Sequence, residues 1–301
     1  MIAVDWGSSS LRAFRLAADG QIREARRSDQ GLLKAGGRFA EVLGALIEGW
    51  GDTLVVMAGM VGSRQGWMEV PYVHCPAGVA EIAAAMQRLP GGEGVPAGEA
   101  GATPREIWLV PGVSCMDAHG VPDVMRGEEA QLCGLLPLLG PGTHQVLLPG
   151  THSKHARIVD GCIAQFSTCM TGELYALLRQ HSLLGRMMVD APHDPAAFAQ
   201  GVAMASHGAD LLHQLFSVRT RALFEQLQPR QLASYLSGLL IGHELGAIAP
   251  ADRPLHVIAA DGLADAYLSA LQSLRQPAIR HAEDAVAQGL YRLARARELP
   301  M

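Results

Sequence analysis

Ile2, Ala3 and Val4 form an apolar run that reads as a buried strand, and the run stops at Asp5, Trp6, Gly7 and three consecutive serines, Ser8, Ser9 and Ser10. Leu11 to Leu16 then resumes a strand-like alternation. The pattern through residue 26 predicts three short antiparallel strands joined by GSSS and ADG. Apolar residues at helical spacing in GRFAEVLGALIEGW predict a helix. DTLVVMAGM reads as a buried strand ending in glycine, GVAEIAAAMQRL as a second helix and EIWLVPG as another buried strand. Pro90 to Pro104 is the most loop-like stretch; its glycines follow no strand and precede no helix, so they make no dinucleotide fingerprint.

After a loop, GEEAQLCGLLPLL reads as a helix, and then the opening pattern returns. HQVLLPGTHSKHARIVDGCIAQF is strand, Gly-hydroxyl turn, strand, Asp160-Gly161 turn, strand, which repeats the order of the first 26 residues down to the D-G turn between its second and third strands. Two copies of one strand–turn–strand unit predict two related halves. The second half turns mostly helical from Gly172 to Ala249, followed by a late strand in PLHVIAA, a helix in DGLADAYLSALQSL and a closing amphipathic helix in EDAVAQGLYRLARA. The expected architecture is α/β in two lobes.

The length of 301 residues suits two domains of about 150 residues each. The expected division is 1–142 and 143–301, with the last helix, about 284–298, a candidate to pack back on the first lobe. A net charge of −5 argues against broad nucleic-acid binding, which needs a basic face. No apolar run reaches the roughly 18–20 residues that span a bilayer, and no signal-peptide pattern opens the chain, so a cytoplasmic protein without a membrane partner is expected. Five scattered cysteines with no C-x-x-C pair read as reduced core residues. Twelve histidines include no H-E-x-x-H motif. The absence of asparagine excludes the protein-kinase catalytic loop, which needs one for its second magnesium ion.

Only two of the 24 basic residues are lysines, Lys34 and Lys154. An ammonium binds phosphate as a compact point charge, which singles out Lys154 in the second Gly-hydroxyl turn; the alternative is an ordinary surface lysine. Consecutive turn amides form an anion-binding concavity, and glycine permits close backbone approach. If both turns face one cleft, the first contributes Gly7, Ser8, Ser9, Ser10 and the nearby Arg12, and the second Gly150, Thr151, His152, Ser153 and Lys154. Asp5 at its strand end is the candidate magnesium ligand, because that ion is bound by one or two carboxylates plus phosphate oxygens. A Ser-rich surface turn is the plainer reading of residues 5–10. His152 and His155 flank Lys154 without a third metal ligand.

This arrangement resembles the actin-like ATPase (ribonuclease H-like) superfamily that includes sugar kinases, with an active-site cleft between duplicated lobes. The stretches DWGSSSLRA, AGMVGSRQGWMEVPYVHCPAG, PDVMRGEEAQLCGLL, LPGTHSKHARIVDGCIAQFSTCMTGELYALL and LFSVRTRALFEQL…SYLSGLLIGHEL together resemble the 2-dehydro-3-deoxygalactonokinase family, over nearly the whole chain apart from Pro90 to Pro104. GSRQGW and PDVMRGEE point most specifically to it.

The resemblance implies ATP- and Mg2+-dependent phosphorylation of 2-dehydro-3-deoxygalactonate to its 6-phosphate in galactonate breakdown. It makes Arg64 the first choice for the substrate carboxylate, with Gly62 and Ser63 beside it and Trp67 as a pocket wall or a core side chain. Arg126 is assigned to the substrate or the transferring phosphate. MRGEEAQLCG resembles the Gly-Asp-Gln run that supplies the base in related sugar kinases, which places that role on Glu128, with Asp123 competing and Glu129 third; a solvated charge at a helix start is the alternative. Gly262 in AADGLADAY is the adenine-site candidate. Other readings are a kinase of a neutral sugar or of the gluconate-derived epimer, or a nucleotide-dependent switch. A homodimer through the apolar helices of the second lobe stays open.

Overall fold

The computed structural model describes residues 1–91, 95, 104–208, 210–248 and 253–300. These cluster into two compact units. Unit 1 comprises Met1–Thr143, Arg157–Phe166 and Glu283–Met301, and unit 2 comprises His144–Ala156 and Ser167–Ala282. Each unit is thus discontinuous in sequence, so no single cut at residue 142 separates them.

Unit 1 is built on β1 (Ile2–Trp6), whose Ile2, Ala3, Val4 and Trp6 are fully buried. It pairs antiparallel with β2 (Leu11–Leu16), which pairs antiparallel with β3 (Ile22–Ser28). On its other side β1 runs parallel to β4 (Leu54–Gly59), and β4 parallel to β7 (Glu106–Leu109), with β6 (Gln87–Arg88) on the edge. The sheet order is therefore β3-β2-β1-β4-β7-β6. Strands buried on both faces carry continuous apolar runs, as LVVMAG does in β4. Helices α1 (Leu32–Ala35) and α2 (Phe39–Leu46) follow β3, and Phe39 packs edge-on against Trp6 within the core.

Two expectations need correction here. The helix expected over GVAEIAAAMQRL is α3 (Val79–Ala84) alone, because Gln87 and Arg88 leave the helix to pair with Leu109 and Trp108 on the sheet edge. The loop expected after EIWLVPG contains two antiparallel strands, β8 (Val113–Met116) and β9 (Pro122–Met125), and β8 pairs in parallel with β5 (Val73–His74) from the stretch before α3. These strands are too short and too polar for periodicity to show them.

Helix α4 (Glu128–Leu139) closes this part of unit 1. The second sheet has the order β12-β11-β10-β13-β14, from β10 (Thr143–Leu148), β11 (Ser153–Val159), β12 (Cys162–Cys169), β13 (Leu255–Ile258) and β14 (Ala278–His281). Strands β10, β13 and β14 run parallel, so both large sheets repeat one plan: third, second, first, then two parallel strands. Unit 2 adds helices α5 (Thr171–His181), α6 (Pro195–Ala205), α7 (Leu211–Leu215), α8 (Ser217–Leu223), α9 (Leu232–Gly246) and α10 (Asp261–Ser273). The last helix, α11 (Ala285–Ala296), packs on α4 and β1 within unit 1.

Two helix crossings are set by glycine. A methyl group added at Gly289 of α11 would lie 1.7 Å from Ala130 O of α4, and one at Gly134 of α4 would lie 1.9 Å from Ala285 O. In unit 2, Gly201 of α6 and Gly238 of α9 meet Tyr235 O and Phe198 O in the same way, at 2.2 and 2.0 Å. Glycine inside a helix costs about 1 kcal/mol against alanine, and close helix approach is what offsets it here. Gly289→Ala should therefore destabilise the protein by about 1–3 kcal/mol through overpacking, seen as a lower midpoint in urea unfolding. Gly246→Ala, where an added methyl meets nothing within 4 Å, should leave stability unchanged or raise it.

Candidate functional site

The end of β1 carries the first site. Asp5 lies opposite Arg12 in the antiparallel pair, and Asp5 Oδ2 accepts hydrogen bonds from Arg12 Nη2 (2.6 Å) and Nε (3.1 Å). Arg12 Nη1 is paired with Glu283 Oε2 at 2.7 Å. Burial alone would lower the affinity of this guanidinium for its proton, but the two carboxylates outweigh it and raise the pKa. Arg12 was expected to serve the nucleotide. The structure instead commits it to two carboxylates and makes it the clamp that orients Asp5. The turn itself closes through Gly7 N–H to Ser10 O (2.9 Å), and Ser8, Ser9 and Ser10 are exposed.

Two glycines with positive φ bring other chain segments up to this strand end. Gly59, at the end of β4, has φ 100°, and a side chain there would strike Trp6 O at 2.5 Å. Gly127, just before α4, has φ 113°, and an added methyl would lie 3.2 Å from Gly59 Cα and 3.9 Å from Asp5 Oδ1. The start of α4 is therefore held beside Asp5.

Two acids, Glu128 and Glu129, come with it, and Asp123 lies four residues before Gly127 on β9. Half-buried Glu128 accepts the Arg126 N–H at 3.1 Å through Oε2. Asp123, half-buried on β9, accepts the Val124 N–H at 2.7 Å. Glu129 is fully buried; its Oε2 accepts the Gly127 N–H at 2.7 Å, and its Oε1 has no hydrogen-bond partner among the described residues. Burial first, and then the charge of Glu128, push the Glu129 carboxyl up to about 8 against backbone hydrogen bonds and Arg126.

The residues expected to bind substrate are split. Gly62 ends a single helical turn at Met60–Gly62, and a methyl there would lie 3.0 Å from Arg126 Nη1. Trp67 stacks on Phe39 (5.9 Å between centroids) and packs against the core, which favours its packing alternative. Arg64 is 87% exposed, with Nε 3.5 Å from Glu69. Arg126 lies against this turn: Nη2 donates to Val70 O (2.8 Å) and the Tyr72 ring covers the guanidinium at 4.3 Å.

In unit 2 the second turn is organised differently. Gly150 is half-buried and Thr151 exposed, while exposed His152 pairs with Glu173 at 2.5 Å. Ser153 is fully buried and donates to Glu244 Oε1 (2.6 Å), and Lys154 is buried with Nζ 2.8 Å from Thr168 Oγ1. Ser153 was expected to face phosphate; its hydroxyl is spent on Glu244. That carboxylate also takes His155 Nε2 (2.7 Å) and Tyr267 OH (2.6 Å). Burial would raise its pKa, but hydrogen bonds from His155, Ser153, Thr171 and Tyr267 hold it below the usual range. His155, Cys169 and Glu244 bring ligand atoms within 4.8 Å of one another. With its oxygens already taken by hydroxyl and imidazole donors, Glu244 makes this a hydrogen-bond node rather than an ion site.

A cavity of about 660 Å3 opens beside the turn, lined among others by Gly150, Thr171, Gly172, Tyr175, Gly262 and Tyr267. At Gly150 and Gly262 an added methyl would meet nothing within 4 Å, so both leave room in it, whereas Gly172 at the start of α5 is pressed against Gly150 O (2.4 Å). Leu240, Ile241, Leu263 and Ala266 give it an apolar side suited to a flat base. The cavity thus joins the expected Gly150 and Gly262. Thr171, Gly172, Tyr175 and His193 have no motif of their own, and only their convergence reveals them.

Two sheets of one strand order, each opened by a hairpin and backed by helices, define an actin-like ATPase fold of the sugar-kinase type. A family model for 2-keto-3-deoxy-galactonokinase matches residues 5–293, and the chain belongs to that family. A Rhizobium meliloti (strain 1021) protein carrying the name 2-dehydro-3-deoxygalactonokinase is 36% identical over 98% of this chain and 96% of its own. The Escherichia coli (strain K12) 2-dehydro-3-deoxygalactonokinase is 35% identical over 91% of this chain and 89% of its own. A crystal structure described as such a kinase from Sinorhizobium meliloti superposes with a TM-score of 0.87 at 36% identity, covering 98% of this chain and 96% of that one. The 2-hydroxyisocaproyl-CoA dehydratase activator from Clostridium difficile, solved with ADPNP, shares the fold alone, with a TM-score of 0.52 at 12% identity over 99% of this chain and 96% of its own.

Glu129 gives a pH signature. Its folded pKa of about 8 lies above the ordinary 4.5, so the folded chain holds a proton that the unfolded chain releases across that window. Its contribution is fully present below pH 4.5 and is lost as pH rises toward 8. Glu129→Gln should flatten that slope, measured as urea-unfolding free energy at stepped pH.

Proposed function

We propose that this protein transfers the γ-phosphoryl group of ATP to the 6-hydroxyl of 2-dehydro-3-deoxygalactonate. The full-length membership in the 2-keto-3-deoxy-galactonokinase family carries this reading. The geometry supports it with an acid cluster at the end of β1 and a base-sized cavity in unit 2. No helix among the described residues is long and apolar enough to cross a membrane, and a cytoplasmic site of action suits a consumer of ATP.

Phosphoryl transfer is mostly positioning and charge stabilisation. The cavity holds adenosine, with Gly150 and Gly262 making room for it and the N-termini of α5 and α10 favouring negative charge nearby. Asp5 fits a magnesium ligand: Arg12 fixes Oδ2, and Oδ1 faces the start of α4. Magnesium bound there would offset phosphate charge. Glu128, oriented by the Arg126 N–H, accepts the proton of the attacking hydroxyl, with Asp123 the competing acid.

The test is an ADP-release assay with magnesium and ATP, comparing 2-dehydro-3-deoxygalactonate, its gluconate-derived epimer and neutral hexoses. The galactonate-derived acid should give the highest kcat/KM and hexoses no turnover above background; the opposite ranking sinks the acceptor assignment. Glu128→Gln should lower kcat by roughly 10²–10⁴ with nucleotide affinity retained. A larger loss in Asp123→Asn would transfer the base to that residue.

A further inference from the structure

The cations of unit 1 are compensated unequally. Arg12 faces two carboxylates, Arg15 faces Asp52, and Arg26 faces Glu24. Among the described residues no carboxylate forms an ion pair with Arg126. Its Nη2 is satisfied by a neutral carbonyl, while Nε and Nη1 are buried without a hydrogen-bond partner among the described residues. The acid that feels its field, Glu129, is pushed up to about 8 and so is mostly neutral at pH 7. A half-buried guanidinium with two orphaned nitrogens and no ion-pair partner among the described residues is costly to maintain.

The orphans converge on one turn. Nη1 abuts Gly62, and the Oγ of the next residue, Ser63, is also buried without a partner among the described residues. Two unmet guanidinium nitrogens and one unmet hydroxyl on the adjoining turn match an anionic oxygen ligand. The Tyr72 ring, 39% exposed, lies over the guanidinium. Arg64 offers the opposite case: water-exposed, beside Glu69, and with no walls to orient a ligand.

We propose that Arg126, with the Ser63 hydroxyl and against Gly62, receives the carboxylate of the sugar acid once Tyr72 turns aside, and so sets the preference for acids over neutral sugars. This rests on the acceptor assigned above and moves the carboxylate contact from Arg64 to Arg126. In this scheme Arg126 binds the ground state and the transition state alike, so its loss falls on KM.

Steady-state kinetics and direct nucleotide binding on Arg126→Met, Arg126→Lys and Arg64→Ala test the assignment. Arg126→Met should raise KM for 2-dehydro-3-deoxygalactonate roughly 10- to 150-fold, the loss of a charged hydrogen bond, with kcat and ATP affinity little changed. Arg126→Lys should recover part of it and carries the same measurement if the Met variant fails to fold. A fall in kcat with an unchanged acid KM would overturn the proposal in favour of a contact with the transferring phosphoryl group. A larger KM effect at Arg64 than at Arg126 would overturn it in favour of Arg64. Wild-type protein that turns over the acid while Arg126→Met behaves identically defeats this proposal alone. Wild-type protein that does not turn it over defeats the acceptor reading, and this proposal with it.

Discussion

The chemistry of unit 1 depends on a place where three backbones meet with no room for a side chain. Gly59 at the end of β4 packs against both Trp6 at the end of β1 and Gly127 at the start of α4, and a methyl at Gly59 would need to occupy space 2.5 Å from a carbonyl oxygen. Both glycines take positive φ, which other residues adopt only with strain. The result fixes two acids from distant parts of the sequence. Asp5 leaves the end of β1 and Glu128 opens α4, and neither could be held there by side-chain packing alone, because both are only half-buried. The Gly134–Gly289 crossing extends the same logic, holding α4 against α11 behind the site.

Around that junction, compensation of charge separates scaffold from site. Arg12 is spent: it ties Asp5 to Glu283 and is raised, not lowered, in pKa by its two partners. Glu244 is spent in unit 2, with hydroxyls and an imidazole meeting its oxygens. Arg126, Ser63 and Glu129 are left with unmet capacity. Buried polar groups are nearly always paired, so unmet ones concentrated on adjacent segments mark where a ligand completes the structure.

Much of the architecture was legible in the chain. The apolar strand, hydroxyl turn and D-G turn occur twice, and the two sheets repeat one order because each copy seeds the same hairpin and central strand. Glycine and acids at 127–129 drew notice because MRGEEAQLCG resembles a run found in related sugar kinases. What could not be read was partnership across sequence distance. Ser153 looked like a phosphate donor until Glu244, on α9, took its hydroxyl. Arg64 sits in the more recognisable motif, yet it is Arg126 that carries buried guanidinium nitrogens without a hydrogen-bond partner among the described residues. Short polar strands such as β5 and β9 gain their identity only from pairing.

The two copies also show how duplication separates tasks. Aligning Gly7 with Gly150 sets Asp5 against Leu148, so the second copy carries an apolar residue where the first carries its acid. The serines of the first turn are exposed, whereas Ser153 and Lys154 of the second point into the protein. A buried hydroxyl–carboxylate node cannot bind an outside phosphate without losing its internal partners, which would leave Glu244 short of donors in a low-dielectric setting. On the proposed function, the second copy therefore contributes backbone and space, through Gly150 and the adjoining helices, while charge for the reaction is concentrated in the first. On that reading one hairpin plan serves as an ion anchor in one unit and as the rim of a nucleotide cavity in the other. The difference lies in which of its few polar side chains are already satisfied from within.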